Sequence, residues 1–244
     1  MSILNSSRLA LATVCFFLSV CSANAALVVS IEDAGVQHST ISNIAQTETF
    51  DAMSPVAFPA SYNNNFGTYR KTAGSPSIKK AGKYGGADGI GNYLFIPRSN
   101  SSEIELIFNE AVAYFGFWWS AGDSGNRLSI TTNHDYKEFV TSEILDANVL
   151  TDAHYGSPTS KTGNKNEPYA YVNLFATTPN DKIKSIRFYG KNFETDNHSA
   201  STSFVGYSGN FLTPIHEPST IALFAFSAIF MTSLSRRKYA NQVV

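Results

Sequence analysis

Short hydrophobic and aromatic runs, separated by turn-forming residues, fill the chain between residues 26 and 212. In the segment Glu103–Phe108, side chains at alternate positions share a face. Ile104, Leu106 and Phe108 lie on one face, and Glu103, Glu105 and Ile107 on the other. Alternation with a period of two predicts a half-buried β-strand, because a helix repeats every 3.6 residues. The segment 26–212 shows no heptads and no long amphipathic helix, so its pattern is that of a β protein.

The run from Ala113 to Ser120 is dense in aromatic residues and predicts a central strand buried on both faces. Residues 52–92 contain clusters of Pro, Asn and Gly and are expected to be rich in loops. Residues 151–168 are predicted to form a long polar loop, and residues 203–207 the last strand. About ten strands of this kind predict an all-β fold, a two-sheet, jelly-roll-like β-sandwich, with a barrel as the alternative.

Residues 1–25 have the three parts of a secretory signal peptide. Arg8 gives a positive start, an apolar stretch follows, and Ala23 and Ala25 frame a small-x-small cleavage site. A first transmembrane helix is the alternative, but the apolar stretch is short for a membrane span. We therefore expect an exported protein.

Both cysteines, Cys15 and Cys21, lie inside the predicted signal peptide. Cleavage would leave a mature protein without thiols, which excludes disulfides, thiolate metal sites and a catalytic cysteine. The span from Glu32 to Glu217 holds all nineteen acidic residues and fourteen of the eighteen basic ones, a net charge of −5. Nucleic acid is therefore not an expected partner, since its binding needs a basic surface.

The C-terminal segment, residues 213–240, combines a proline-containing break, an apolar helix predicted over residues 219–235, and a basic end. The apolar stretch is about as long as the shortest helices that cross a bilayer, which need roughly 17 residues. The basic end consists of Arg236, Arg237 and Lys238 and would hold that side in the cytoplasm. The pattern predicts a single transmembrane helix.

This segment resembles the PEP-CTERM sorting domain, whose pattern is Pro-Glu-Pro, an apolar helix and a short Arg-rich end. The corresponding residues are His216, Glu217, Pro218, Ser219 and Thr220, with histidine in place of the first proline. The resemblance implies an exosortase-type membrane transpeptidase as partner, a transient inner-membrane intermediate, and a final place at the cell surface or in the extracellular matrix. The alternative is an ordinary C-terminal membrane anchor or a buried hydrophobic helix.

Three segments of the body, residues 114–126, 166–173 and 193–198, together resemble a family of exosortase-dependent surface proteins with a β-sandwich body. The resemblance implies a cargo protein that serves adhesion, matrix structure or glycan binding. It supplies no catalytic residues.

The sequence contains no complete catalytic constellation, and we expect a protein that is not an enzyme. The segment Gly122–Gly125 copies the surroundings of a protease nucleophile, but its composition also suits a tight turn, which we favour. Glu103 with Glu105, and Glu194 with Asp196, are acid pairs at strand spacing. Glycoside hydrolysis needs two carboxylates about 5–10 Å apart. The alternative function is therefore an extracellular polysaccharide-acting hydrolase or lyase on a jelly-roll fold.

Adjacent aromatic residues offer candidate glycan contacts. Trp118 and Trp119 would face opposite sides of a strand, and Tyr169 and Tyr171 are candidate partners for stacking on a sugar ring. Packing in the core is the alternative for all four.

No cofactor is implied by motif, and the five histidines show no metal-binding spacing. Calcium remains a candidate because loop carboxylates and carbonyls can bind it. Its candidate ligands are Asp88, Glu194, Asp196 and Asn197.

Overall fold

The computed structural model describes residues 27–42, 44, 46–98, 102–145, 149–159 and 164–211. The predicted signal peptide, with Ala23 and Ala25, lies outside the described residues. So does the predicted sorting tail from residue 213 onward. Within the described ranges, no helix is long and apolar enough to cross a membrane.

The regular secondary structure of the described residues is almost entirely β-strand, and one short α-helix, α1 (Thr141–Ile144), follows the tenth strand. In chain order the strands are β1 (Leu27–Ile31), β2 (Gln46–Glu48), β3 (Ser61–Asn63), β4 (Gly67–Ala73), β5 (Ser77–Lys80), β6 (Asn92–Ile96), β7 (Glu103–Val112), β8 (Tyr114–Ser120), β9 (Asn126–Thr132), β10 (Tyr136–Val140), β11 (Ala170–Ala176), β12 (Ile183–Gly190), β13 (Phe193–Ser201) and β14 (Asn210–Phe211). The prediction of an all-β protein is confirmed.

The strands form two antiparallel sheets. The eight-stranded sheet has the order β14-β1-β11-β8-β13-β6-β5, and β2 also pairs with β13. The six-stranded sheet has the order β10-β9-β12-β7-β4-β3. Neighbouring strands in each sheet are often distant in sequence, as with β1 and β11, because the chain crosses repeatedly between the two sheets.

One hydrophobic core fills the space between the two sheets. Phe117 of β8 packs edge-on against Phe188 of β12, with ring centroids 5.5 Å apart. Trp119 stacks on Phe193 at 4.7 Å within the eight-stranded sheet. Burying each of these large side chains stabilises the fold by about 1.5–3 kcal/mol. Aromatic packing across the gap therefore holds the sheets together.

A β-bulge in β13 decides which of its side chains enter this core. The pairing with β8 shifts register between Asp196 and Ser199, and Asn197 adopts a positive φ of 47°. Asparagine tolerates this backbone conformation better than most residues. The extra residue reverses the alternation, so that Thr195 and His198 both point between the sheets.

His198 is fully buried and makes a polar link between the sheets. One ring nitrogen, Nδ1, lies 2.8 Å from the Tyr69 hydroxyl of β4, and Nε2 lies 2.7 Å from Oγ1 of Thr195. The imidazole stacks on Phe188 with a centroid distance of 5.0 Å. Burial lowers the pKa of His198 from 6.5 to about 3, so the ring is neutral at physiological pH.

The strand predictions are confirmed where hydrophobic alternation carries them. Ile104, Leu106 and Phe108 all point into the core from β7, and all seven residues of β8 are buried. The 151–168 segment contains only one short 3-10 helix, at residues 152–154, among its described residues.

Two predictions about local structure are wrong, and a third, that residues 52–92 are rich in loops, is incomplete. Residues 52–92 contain β3, β4 and β5 in addition to β6, because polar side chains alternate outward from buried ones such as Tyr69. Residues 203–207 form no strand; the last long strand is β13, whose inward positions include polar residues. The sequence pattern also predicts one strand over residues 137–144, but residues 141–144 form α1 and do not continue β10.

We expect Tyr69→Phe to destabilise the fold by about 1–3 kcal/mol, because a buried ring nitrogen of His198 would lose its partner. Chemical denaturation measures this difference. Tyr136→Phe removes a hydroxyl from an exposed ring and should change stability by less than about 0.5 kcal/mol. Equal stability of the two variants would contradict the proposed role of the histidine link.

Candidate functional site

The four aromatic candidates for glycan contact are buried. Trp119 belongs to the core between the sheets. Trp118, Tyr169 and Tyr171 form a smaller cluster with two alanines on the outer face of the eight-stranded sheet. In this structure none of the four exposes a ring face on which a sugar could stack.

Loops cover that outer face and account for the burial. The Tyr169 hydroxyl donates to the carbonyl of Lys83, 3.1 Å away, in the glycine-rich loop between β5 and β6. The backbone N–H of Ala87 in the same loop donates to Oδ2 of Asp196 at 2.8 Å. A second layer of loops is thus bonded directly onto the sheet.

The calcium candidates serve as anchors for these loops. Asp196 accepts from Ala87 and, through Oδ1, from the N–H of Asn197 at 2.8 Å. The Asn197 amide donates to the carbonyl of Gln37 at 2.8 Å, and the N–H of Asp88 donates to the Gln37 side chain at the same distance. Among the described residues, no three His, Asp or Glu side chains are placed to hold a metal ion. Calcium binding at these residues stays a prediction.

Glu194 is the most perturbed carboxyl group described. It is 6% exposed, and its Oε2 atom has no hydrogen-bond partner among the described residues. Burial raises the pKa of Glu194 to about 9, and the charges of Glu167 and Asp123 add to the shift while Lys79 opposes it. The carboxyl is therefore protonated at neutral pH. Burial also raises the pKa of Asp196, to about 7.

The two predicted acid pairs lie on opposite outer faces of the body. Glu103 and Glu105 project from β7 in the six-stranded sheet, where Arg187 approaches them at 3.8 and 4.0 Å. Glu194 and Asp196 lie beneath the loops over the other sheet. The structure therefore does not bring the first pair to face the second across a cleft.

The segment that resembles a protease nucleophile forms a turn between β8 and β9. The Gly125 N–H donates to Oδ1 of Asp123 at 2.6 Å, and the Asn126 N–H donates to the Asp123 carbonyl at 3.0 Å. The buried Asn126 side chain accepts from Nε1 of Trp119 at 2.9 Å. The turn interpretation is confirmed, and the Asp123 and Asn126 side chains are engaged in structural contacts.

A groove of about 930 Å³ opens at one end of the body, where β7 and β13 finish. We call it the polar end groove. Its described lining is mostly hydroxyl, amide and backbone groups, with two exposed aromatic rings and one charged side chain. The residues that define its chemistry are Gln46, Asn65, Asn109, Glu110, Phe204 and Tyr207.

The two aromatic rings of the polar end groove are held in place while remaining accessible. Phe204 is 49% exposed, and the Lys182 ammonium lies 5.5 Å from its centroid. Tyr207 is 54% exposed and packs against Phe175 at a centroid distance of 5.0 Å. Sequence analysis missed this site because residues 203–207 were expected to form a strand.

The fold defines the class: an all-β protein of two antiparallel sheets. No family model and no curated protein matches the sequence. Among solved structures, the K2 cleaved adhesin domain of Lys-gingipain is similar at a TM-score of 0.38 and 15% identity, over 65% of this chain and 98% of that domain. A TM-score below 0.5 does not establish a shared function.

We expect Glu194→Gln to stabilise the protein by roughly 2–4 kcal/mol at pH 8 and to have little effect at pH 4. The carboxyl titrates near pH 9 in the folded chain and near 4.5 when unfolded. Folding therefore takes up a proton between these values, and stability falls as pH rises through this window. Glutamine does not ionise, so the variant keeps its stability as the pH rises through this window.

Urea denaturation at several pH values measures the effect. Asp196 contributes a slope of the same sign in both proteins, so their difference isolates Glu194. Glu110→Gln, at an exposed acid, is the control and should leave the pH dependence unchanged. Parallel curves for wild type and Glu194→Gln from pH 4 to 9 would show that this carboxyl is not buried as described.

Proposed function

We propose that the protein is an exported cell-surface or extracellular-matrix protein whose jelly-roll-like β-sandwich binds a neutral glycan in the polar end groove. The observation that carries the binding proposal is the pair of exposed rings, Phe204 and Tyr207, beside amide side chains in one groove. The proposal for export and sorting is carried by the two ends of the sequence.

The chemistry of the polar end groove suits a sugar. A pyranose ring has an apolar face that packs on an aromatic ring, and its hydroxyls exchange hydrogen bonds with amides such as those of Asn65 and Asn109. A volume of about 930 Å³ lies within the usual range for small-ligand sites and accommodates a short oligosaccharide. Glu110 is the one charged side chain in the described lining, which favours a neutral ligand.

The same lining favours binding over hydrolysis. Glycosidases generally need two carboxyl groups at the scissile bond, and the described lining of the polar end groove provides one, Glu110. Glu194 has the raised pKa of a general acid, which supports a polysaccharide-acting hydrolase or lyase as the second candidate. However, Glu194 lies under loops, at the start of the strand whose end reaches the groove.

The proposed route to the surface depends on the sorting tail. An exosortase-type membrane transpeptidase would act near Glu217 and Pro218 while the apolar segment 219–235 holds the precursor transiently in the inner membrane. Arg236, Arg237 and Lys238 would keep the end of the chain in the cytoplasm.

We expect the double variant Glu217→Ala/Pro218→Ala to accumulate as unprocessed precursor in the inner membrane, because the residues that the transpeptidase reads are gone. Fractionation followed by immunoblotting of cells that carry the sorting enzyme measures this. His216→Pro restores the family pattern and should mature at least as fast as wild type. Normal maturation of the double variant would refute the sorting proposal.

We expect Phe204→Ala and Tyr207→Ala each to weaken glycan binding by about tenfold, the loss typical of removing a central aromatic contact. Screening the full-length chain on a glycan array identifies the ligand, and titration calorimetry measures the variants. Tyr84→Ala removes an exposed ring outside the polar end groove and should bind like wild type. Unchanged affinity in both groove variants would place the glycan elsewhere.

A further inference from the structure

A second depression, of about 630 Å³, lies at the other end of the body, where β7 and β13 begin. Arg98 follows β6, Arg127 lies near the start of β9, and Lys191 lies between β12 and β13. These three cations share the lining with Glu103, Asp123 and Tyr189. We call this depression the basic cleft.

The cations of the basic cleft are only partly neutralised. Arg127 has one distant partner, Glu138, at 3.7 Å in an exposed pair. In the part of the chain that the structure describes, neither Arg98 nor Lys191 has a carboxylate oxygen within 4.0 Å. Three cations that line one concavity, on a span whose net charge is −5, favour an anionic ligand there.

The acids in the basic cleft are already engaged. Oδ1 of Asp123 accepts from the N–H of Gly125, and Oε2 of Glu103 accepts from the Thr72 hydroxyl at 3.1 Å and lies 3.8 Å from Arg187. Neither acid neutralises Arg98 or Lys191 directly. Their remaining lone pairs are available to accept from hydroxyl donors.

The backbone of Lys191 is held in position by hydrogen bonds before any ligand binds. Its N–H donates to the Gly125 carbonyl at 3.0 Å, and its carbonyl accepts from the Asn126 side chain at 2.6 Å. Gly190 has a φ of 105°, and a Cβ there would lie 2.1 Å from the Gly125 carbonyl oxygen. A preorganised site loses less entropy when it binds.

We propose that the basic cleft binds an acidic saccharide, whose anionic group contacts Arg98 and Lys191. A sugar ring carries hydroxyl donors beside its carboxylate or sulfate, and these match Glu103 and Asp123. An oligothymidylate offers phosphates but almost no hydroxyl donors for these two acids. The mixture of cations and acids thus selects a ligand that carries both anionic groups and many hydroxyls.

The test is titration calorimetry of the full-length chain at low salt with three probes. One is neutral, a dextran oligomer, and two are anionic, an oligogalacturonate and a dextran sulfate oligomer. We expect one or both anionic oligomers to bind, and the comparison between them distinguishes carboxylate from sulfate. Arg98→Ala/Lys191→Ala should weaken that binding at least about tenfold, since both charges are lost. Raising the salt concentration should weaken wild-type binding as well.

Controls distinguish loss of binding at the basic cleft from a folding defect and from binding in the polar end groove. Arg70→Ala removes an exposed arginine outside the basic cleft and should bind the anionic oligomer like wild type. Arg98→Lys keeps the charge and should retain most of the affinity. Phe204→Ala should leave the affinity for the anionic oligomer unchanged. The thermal melting point of each variant shows whether it is folded.

Four results would overturn the proposal: no binding of either anionic oligomer, equal binding of dextran, equal binding of an oligothymidylate, or unchanged affinity in the folded double variant. Failure of the polar end groove to bind a neutral glycan would leave the basic cleft unaffected, because the two sites share none of their described lining residues.

Discussion

The arrangement of the body depends on a single extra residue in β13. Because Asn197 adopts a left-handed conformation, the alternation of side chains reverses at this point. Before it, Glu194 and Asp196 face the covering loops; after it, His198 faces the core. One strand can therefore bond both to the opposite sheet, through Tyr69, and to the loop layer, through Ala87. Without the bulge, a neutral imidazole would lie where the loops now pack.

The covering loops determine where ligands can reach the protein. They bury Trp118 and Tyr171 on the outer face of the eight-stranded sheet, so aromatic side chains there contribute stability and not recognition. The outer face of the six-stranded sheet carries Glu105 near Arg187, a partly exposed pair that contributes little energy. The accessible chemistry is thus concentrated at the ends of the strands, where turns and connecting loops expose side chains that the sheets do not use.

Sequence patterns predicted those parts of the fold in which burial coincides with hydrophobicity. The alternation of β7 and the aromatic run of β8 identified two central strands correctly. By contrast, β13 was missed because its buried positions include the polar residues Thr195 and His198. They bond to each other, and His198 also bonds to a partner 129 residues away, Tyr69. No local pattern reveals such a pairing. The polar end groove and the basic cleft were missed for a related reason: each is assembled from several loops that only the sheet topology brings together.

The two proposed sites, if both are occupied, would give the body a specific mechanical role. Glu103 begins β7 and lines the basic cleft, whereas Val112 ends the same strand and lines the polar end groove. Ten residues at about 3.3 Å each separate the sites by roughly 30 Å along a hydrogen-bonded strand. Sites this far apart on one strand can hold two different polymers at once without a clash between them. A protein placed in a matrix of neutral and acidic polysaccharides would thereby link them, with the packed core between the sheets transmitting the load.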